Sequence, residues 1–359
     1  MTQQPQLRFL IVKIGALGDL FFALPAVSYL RQHFPGCKID WLTSESFAPL
    51  LRGHPEITNV YTLNEKDLFN GSSFDKAKAV SKFRSRLNQK FDHIFLLHRS
   101  IGYLAALYGK GPISMVSRSK NDFNMAGVQF VSCPPLVRHE SLNIKRVLEA
   151  GIHRRDSKIE LSLYWQAELG YLRQKGQTPR FIGLHIGGGK NVAHEFVLKK
   201  WPYFGQLLPL LLEKTNHEIK IIGAPDEIGE ALQILEMIPH HLKSRVHNLV
   251  GKTDLVSLAA EISTCSIFVG PDSGPLHIAD MMDIASVGIY GPTSPISWGL
   301  LKPSSSRLFI DPLICRPCYK DDGDFPSCWN FHKCMKDLSP LTVSLAVEDL
   351  VRRQSLIDK

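Results

Sequence analysis

Residues 266–292 contain the pattern most able to bind an anion, which is an apolar run, a polar turn, the start of a helix and a second strand. The run at 267–269 is typical of a buried parallel strand, and the turn at 270–275 reads GPDSGP, with a final proline suited to a helix start. A helix that starts at the carboxyl end of a strand presents unpaired N–H groups and the positive end of its dipole, which is how α/β proteins commonly hold a phosphate. The alternative is a strand–helix turn that binds nothing.

Asp19 ends a second glycine-containing turn, 15–19, directly after the first predicted strand. Glycines let the backbone turn sharply and approach a ligand closely. The turn is not a dinucleotide-binding fingerprint, because the third glycine is missing and Glu45, the next acidic residue near a strand end, has the wrong spacing. The Asp19 carboxylate either takes part in chemistry or caps the helix predicted to begin at Leu20.

A third glycine-rich segment reads HIGGGK at 185–190 and is followed by KKWP at 199–202. A Walker A loop is excluded, because Asn191 stands where that motif needs Ser or Thr and Leu184 stands where it needs its first glycine. Flexible glycines beside mobile lysines suit a diphosphate that is bound without the magnesium ion of a triphosphate.

Strands and helices alternate twice along the chain, which is the rhythm of βαβ units. The predicted strands are 9–14, 39–43, 91–97, 181–186, 219–222, 246–250 and 267–269. The main predicted helices are 20–33, 76–90 and 202–213, with a more helical region at 141–175 that ends in a domain boundary at 176–179. The chain is therefore predicted to be α/β, with two Rossmann-like domains in tandem and a ligand site in the cleft between them.

Composition is that of a globular protein in a reducing compartment. The 359 residues are 44% hydrophobic, with a mean hydropathy of −0.05, which is enough apolar material for two cores. The apolar run at 9–14 is too short for a signal peptide or a membrane span, and no 18-residue apolar run occurs elsewhere. We expect a cytoplasmic protein with mostly reduced cysteines.

Positive charge is concentrated in the first half. The net charge is +8, and residues 1–175 hold 24 Lys and Arg against 14 Asp and Glu. One dense cluster of positive charge is 76–90, where apolar residues keep helical spacing between lysines and arginines. This pattern suits an anionic membrane surface or an anionic acceptor, and a solvated basic helix is the alternative. Nucleic acid is not an expected partner, because no aromatic-studded basic patch is present.

Four cysteines, 315, 318, 328 and 334, lie close together near the C-terminus. A CxxC pair followed by two more cysteines contains the ingredients of a zinc site, but the second pair is spaced by five residues and His332 lies within it. Structural zinc and free thiols both remain open.

Several of these segments together resemble one family. In chain order they are KIGALGD at 13–19 with Leu24-Pro25, KKWP at 199–202, GAPDE at 223–227 and GPDSGPLHIA at 270–279. This order, which covers nearly the whole chain, resembles glycosyltransferase family 9, the family of lipopolysaccharide core heptosyltransferases.

The resemblance implies a GT-B architecture, with two facing Rossmann-like domains and a deep inter-domain cleft. Its domains would be an acceptor-binding domain at 1–175 and a nucleotide-sugar-binding domain at 176–340, with a helix at 341–359 that returns to the first domain. The implied reaction is inverting, metal-independent transfer of a heptose from ADP-heptose to the inner core of lipopolysaccharide, without a cofactor. The enzyme would act in the cytoplasm, peripherally at the anionic inner face of the cytoplasmic membrane.

Position by position, the resemblance implies that Asp19 is the catalytic base. The donor-binding residues it implies are Lys199, Glu227, Thr253, Asp272, Ser273, Gly274, Leu276 and His277. Lys190 or Lys200 could share the phosphate role, because the loop at 186–199 is long. The alternatives are a GT-B transferase that uses another nucleotide sugar and a non-catalytic, zinc-bearing binding protein.

Overall fold

The chain forms two compact units, Met1–Tyr171 and Leu172–Lys359. The computed structural model describes residues 6–63, 72–98, 101–117, 125–134, 138–154, 161, 168–173, 179–189, 197–319 and 327–357. The division falls four residues before the predicted boundary after 175, and residues 174–178 lie outside the described part. Within that part, no helix is long and apolar enough to cross a membrane.

The first unit is built on a six-stranded, entirely parallel sheet in the order β3-β2-β1-β4-β5-β6. Its strands are β1 (Arg8–Val12), β2 (Lys38–Ser44), β3 (Asn59–Leu63), β4 (His93–Leu96), β5 (Ile113–Ser117) and β6 (Val128–Ser132). Strands of this kind are buried on both faces, which explains the continuous apolar run in β1. The strand order reverses between β1 and β4, and ligands of such sheets bind at that point.

In the sequence, the described helices of the first unit lie between these strands, except the last, which follows β6. They are α1 (Leu17–Ala23), α2 (Ala26–His33), α3 (Ala48–Arg52), α4 (Ser73–Arg86), α5 (Ile101–Leu107) and α6 (Glu140–Ile152). The helix predicted at 20–33 is two helices, with Leu24 as the C-cap of α1 and Pro25 as the N-cap of α2. A proline lacks the N–H that a helix interior needs, so the continuous helix is interrupted there.

The second unit repeats the topology of the first. Its parallel sheet has the order β12-β11-β10-β7-β8-β9. Its strands are β7 (Phe181–His185), β8 (Glu218–Ile222), β9 (Val246–Asn248), β10 (Cys265–Pro271), β11 (Ala285–Ile289) and β12 (Ser306–Leu308). The point of reversal in this sheet lies between β7 and β10.

The helices of the second unit cover this sheet. They are α7 (Phe204–Lys214), α8 (Ile228–Glu236), α9 (Leu255–Ser263), α10 (Gly274–Met281), α11 (Pro295–Trp298), α12 (Lys333–Lys336) and α13 (Pro340–Ile357). Val343, Val347 and Leu350 of α13 are buried in the core of this unit, beside α7. The last helix therefore packs within the second unit, and its predicted return to the first domain stays a prediction.

Candidate active site

Asp19 lies at the point of strand-order reversal of the first sheet, in the first turn of α1. Its Oδ2 is 3.0 Å from Nζ of Lys13, which is buried at the end of β1. The same ammonium donates to the Leu97 carbonyl, 3.3 Å away, directly after β4. A third of the Asp19 side chain is exposed. The carboxylate is thus held on one side by a buried cation and is accessible on the other.

The capping interpretation of Asp19 is wrong. Helix α1 begins at Leu17 rather than at Leu20, and its N-cap is Ala16. Asp19 is therefore inside the helix, where a carboxylate in the first turn interacts favourably with the helix dipole.

Asp272, directly after β10, is the centre of a second cluster, at the point of reversal of the second sheet. Lys199 Nζ is 2.9 Å from its Oδ2 and 3.2 Å from its carbonyl oxygen, and His277 Nε2 is 2.9 Å from its Oδ1. Burial alone would raise the pKa of Asp272, but Lys199 and His277 outweigh it and hold the pKa well below its usual value. Three of the predicted donor-site residues are therefore brought together in one buried, charge-compensated group.

Trp201 fixes the position of Lys199. The indole is fully buried and donates through Nε1 to the Leu338 carbonyl, 3.0 Å away. Lys199 ends a single 3-10 turn, Val197–Lys199, and the Leu198 carbonyl of that turn is 2.5 Å from His332 Nε2. The KKWP segment therefore uses its tryptophan as an anchor and directs its first lysine at Asp272.

Ser273, Gly274 and Leu276 form the start of α10. Ser273 is the N-cap, but its side chain makes no capping hydrogen bond, and its Oγ lies 2.9 Å from His185 Nδ1. The Leu276 side chain is fully buried, so this residue can offer a ligand only its backbone. The first turn thus has the N–H groups and dipole that favour a phosphate.

Glu227 lies close to the backbone of the glycine loop after β7. It is buried and accepts a hydrogen bond from the Ala224 N–H at 2.7 Å. A Cβ at Gly187 would lie 1.7 Å from Glu227 Oε1, so a side chain at this position would displace the Glu227 carboxylate. Burial raises the pKa of Glu227. A carboxylate in this position can accept hydrogen bonds from hydroxyl groups of a ligand.

Thr253 stands apart from the Asp272 cluster. It is half-buried and directly precedes Asp254, the N-cap of α9, and no hydrogen bond joins Thr253 to the Asp272 cluster among the described residues. The neighbouring Gly251 N–H donates to the Gly223 carbonyl at 3.0 Å, which places this loop beside the GAPDE turn. The structure therefore associates Thr253 with the Glu227 side of the predicted site.

Lys190 and Lys200 were the two other lysines expected to bind phosphate. Lys200 Nζ is 3.3 Å from Glu230 Oε2, on α8. Lys190 lies outside the described residues. Among the described lysines of this loop, Lys199 is the one in contact with the Asp272 cluster.

The four cysteines near the C-terminus do not form a metal site among the residues that the structure describes. Cys315, Cys318, Cys328 and Cys334 are free thiols, and no group of three or more potential ligands converges anywhere in the described part of the chain. His332 instead supports the turn that carries Lys199, as described above.

Two residues of the clusters were not predicted, Lys13 and His185. Both lie within motifs that the sequence analysis singled out, at the end of a first strand and directly before a glycine loop. Their partners, Asp19 and Ser273, were predicted. Sequence motifs do not show that His185 pairs with Ser273, 88 residues away, or that the buried Lys13 side chain points to Asp19.

Residues 191–326 match the family described as Glycosyltransferase family 9 (heptosyltransferase). The chain carries a glycosyltransferase family 9 domain. The matched range includes every predicted donor-binding residue, whereas Asp19 lies outside it. The predicted enzyme class, glycosyltransferase, is confirmed.

Curated relatives of this glycosyltransferase align along most of its length. Lipooligosaccharide heptosyltransferase 2 of Campylobacter jejuni subsp. jejuni is 26% identical over 340 residues, which is 93% of this chain and 96% of the relative. Lipopolysaccharide heptosyltransferase 3 of Escherichia coli is 25% identical over 304 residues, 78% of this chain and 82% of the relative.

Solved structures share the fold of this glycosyltransferase. A glycosyl transferase family 9 structure from Veillonella parvula has a TM-score of 0.71 at 18% identity and covers 98% of this chain and 99% of its own. The ADP-heptose LPS heptosyltransferase II of E. coli has a TM-score of 0.68 at 16% identity and covers 97% and 100%. The predicted α/β GT-B fold class is confirmed.

Proposed function

We propose that this glycosyltransferase moves a heptose from ADP-heptose to the inner core of lipopolysaccharide. The observation that carries the proposal is the contact of Lys199 with Asp272 beside the first turn of α10. A cation and a helix start at one strand end form a site for a nucleoside diphosphate group. The choice of heptose as the transferred sugar rests on the curated relatives, which are named as heptosyltransferases.

In this proposal the second unit holds the donor. Lys199 and the N–H groups of Gly274 and Leu276 donate hydrogen bonds to the diphosphate. Glu227 accepts hydrogen bonds from hydroxyls of the ribose. Thr253, on the neighbouring loop, lies on the nucleoside side. These groups supply positive charge through the chain's own side chains and backbone dipoles, so the proposed reaction uses no metal ion.

Asp19 is the proposed base. It takes the proton from an acceptor hydroxyl while that oxygen attacks the anomeric carbon of the heptose. The bond from this carbon to the diphosphate oxygen breaks, and ADP leaves with the electron pair, stabilised by Lys199 and the start of α10. Attack opposite to the leaving group inverts the anomeric configuration. Lys13 holds the Asp19 carboxylate in place through their ion pair.

The proposed acceptor side includes an anionic surface. Lys78, Lys82 and Arg86 are exposed and spaced by four residues along α4, so they form one stripe on that helix. We call this set the basic stripe. It favours an anionic acceptor and a peripheral position at the inner face of the cytoplasmic membrane, where lipid headgroups are negatively charged.

The test is a transfer assay with inner-core acceptor that lacks the heptose. We expect ADP release and a new glycosidic bond with ADP-heptose, with inverted anomeric configuration by NMR, and much slower turnover with UDP- or GDP-sugars. Thermal shift with the same nucleotides gives the donor preference independently, since saturation at about 100 times the dissociation constant adds about 2.7 kcal/mol to the free energy of unfolding. Stabilisation and turnover with a UDP- or GDP-sugar instead would favour the second candidate, a GT-B transferase with another donor.

A further inference from the structure

Ser273 occupies a capping position but does not cap its helix. The hydroxyl of an N-cap serine ordinarily accepts a hydrogen bond from the N–H of the second or third helical residue. In α10 the second residue is Pro275, which has no N–H, so Leu276 is the one donor in reach of this hydroxyl. The Ser273 side chain makes no such bond.

His185 is the group that engages the hydroxyl. Its Nδ1 lies 2.9 Å from Ser273 Oγ, and both side chains are buried. Burial, with a smaller contribution from Lys200, lowers the pKa of His185 to about 3. The ring is therefore neutral at physiological pH, so its Nδ1 can accept a hydrogen bond from the Ser273 hydroxyl.

We propose that His185 is a positioning residue that holds the Ser273 hydroxyl away from Leu276, so that the Leu276 N–H stays available to a phosphate of the donor. The inference rests on the proposed function and deepens it. It assigns a role to the histidine of the HIGGGK segment. The same segment also approaches Ser273 at Gly189, where a Cβ would be 3.9 Å from the Ser273 Cβ.

The physical basis is competition for one donor. If the hydroxyl were released from His185, it would rotate to the Leu276 N–H and satisfy it, as N-cap serines commonly do. A phosphate would then have to displace this cap before binding. The strength of an N-cap corresponds to a loss of affinity of about 2- to 30-fold.

The test compares two variants of nearly equal shape, His185→Leu and His185→Asn, by titration calorimetry with ADP. Leucine cannot accept a hydrogen bond from the hydroxyl, so we expect the ADP dissociation constant to rise by about 2- to 30-fold. The asparagine side chain places an amide where Nδ1 lies, so His185→Asn should stay within about twofold of the wild type. His241→Leu, on an exposed histidine of the second unit, is the matched control and should bind ADP like the wild type.

A double-mutant cycle separates this role from general packing. Removal of the hydroxyl removes the competing cap, so Ser273→Ala combined with His185→Leu should bind ADP as tightly as Ser273→Ala alone. Additive losses, or wild-type affinity in His185→Leu, would overturn the inference while leaving the proposed function intact. Absence of ADP binding in the wild-type protein would contradict both. His185→Phe replaces the leucine variant in the same cycle if the latter does not fold.

Discussion

At the scale of residues, the proposed donor site is centred on the ion pair between Lys199 and Asp272. Asp272 is buried and charged because Lys199 and His277 both contact its carboxylate. Lys199 donates to both the carboxylate and the carbonyl oxygen of Asp272. In the proposed site the same ammonium also binds a phosphate of the donor.

Replacement of Lys199 tests this arrangement. Lys199→Met keeps the buried stem and removes the charge, so we expect ADP affinity measured by calorimetry to fall by about 1.5–3 kcal/mol, the range of a charge-assisted hydrogen bond. The protein itself should also lose stability, because Asp272 is left buried without its lysine. Lys200→Met, which removes a partly exposed pair with Glu230, is the control. A loss of ADP affinity in Lys200→Met alone would assign the phosphate to Lys200.

Residue types could be predicted at this scale, but their pairings could not. The turn residues 272–277 follow from local rules on helix starts, and Lys199, two residues before Trp201, was implied by the family resemblance of the motifs. The contact of Lys199 with Asp272 joins residues 73 positions apart, and that of His185 with Ser273 joins residues 88 apart. The capping interpretation of Asp19 was wrong because α1 begins before the glycine-containing turn is complete.

At the scale of elements, α4 separates its cations into two roles. Arg84 donates to the carbonyls of Ala105, Ala106 and Tyr108, at the C-terminal end of α5, so it is a structural cap. The basic stripe lies on the exposed side, whereas Phe83 is buried in the core. The helix predicted at 76–90 is therefore the amphipathic helix α4, which begins at Ser73 and ends at Arg86, and one of its arginines stabilises the fold.

Reversal of the basic stripe tests its role at an anionic surface. The triple variant Lys78→Glu, Lys82→Glu, Arg86→Glu should bind vesicles that contain anionic lipid at least about 100-fold more weakly, because each cation contributes about 1 kcal/mol near such a surface. The salt dependence of binding should flatten as well. ADP affinity should be unchanged.

The control for the stripe is Arg84→Glu, which should lower the melting temperature instead. Equal loss of vesicle binding and ADP binding in the triple variant would indicate damaged folding and contradict the assignment.

His93, at the start of β4, makes the first unit sensitive to acid. It is buried, its Nε2 is 2.9 Å from Ser114 Oγ, and burial lowers its pKa to about 4 from 6.5. The unfolded chain therefore binds a proton in the range between these values and the folded chain does not. The stability contribution is complete above pH 6.5 and is lost as the pH falls toward 4.

Denaturant unfolding at several pH values measures this effect. Between pH 7 and 4.5, the free energy of unfolding of the wild type should fall by roughly 2–3 kcal/mol more than that of His93→Asn, which has no titrating ring. Equal pH dependence in the two proteins would contradict the assignment of this acid sensitivity to His93.

Strong apolar runs predicted their strands well, whereas short or mixed ones did not. The predicted strands 39–43 and 219–222 lie inside β2 and β8. Strands β3, β5, β6 and β12 were not predicted, since each mixes polar with apolar residues. Three of them, β3, β6 and β12, also lie at the edges of their sheets. Their pairing depends on a neighbouring strand that is already in place, which local periodicity does not contain.

At the scale of the whole molecule, one topology is used twice, and both candidate clusters lie where strand order reverses. The predicted repetition of βαβ units along the chain was enough to anticipate two Rossmann-like sheets. The order of strands within each sheet is a long-range property that the alternation does not determine. In the proposal, each unit uses its point of strand-order reversal for a different role. The first unit holds the base, after its first strand, and the second unit holds the diphosphate site.

The most direct test of this account is the turnover and ADP affinity of Asp19→Asn, measured on the same preparation. Asparagine still accepts a hydrogen bond from Lys13 but cannot take a proton from the acceptor. We predict that ADP affinity stays at the wild-type value, because ADP binds the second unit, while heptose transfer slows by about 10²- to 10⁴-fold, the usual contribution of a positioned general base. A folded Asp19→Asn protein that binds ADP and transfers heptose at close to the wild-type rate would contradict the account.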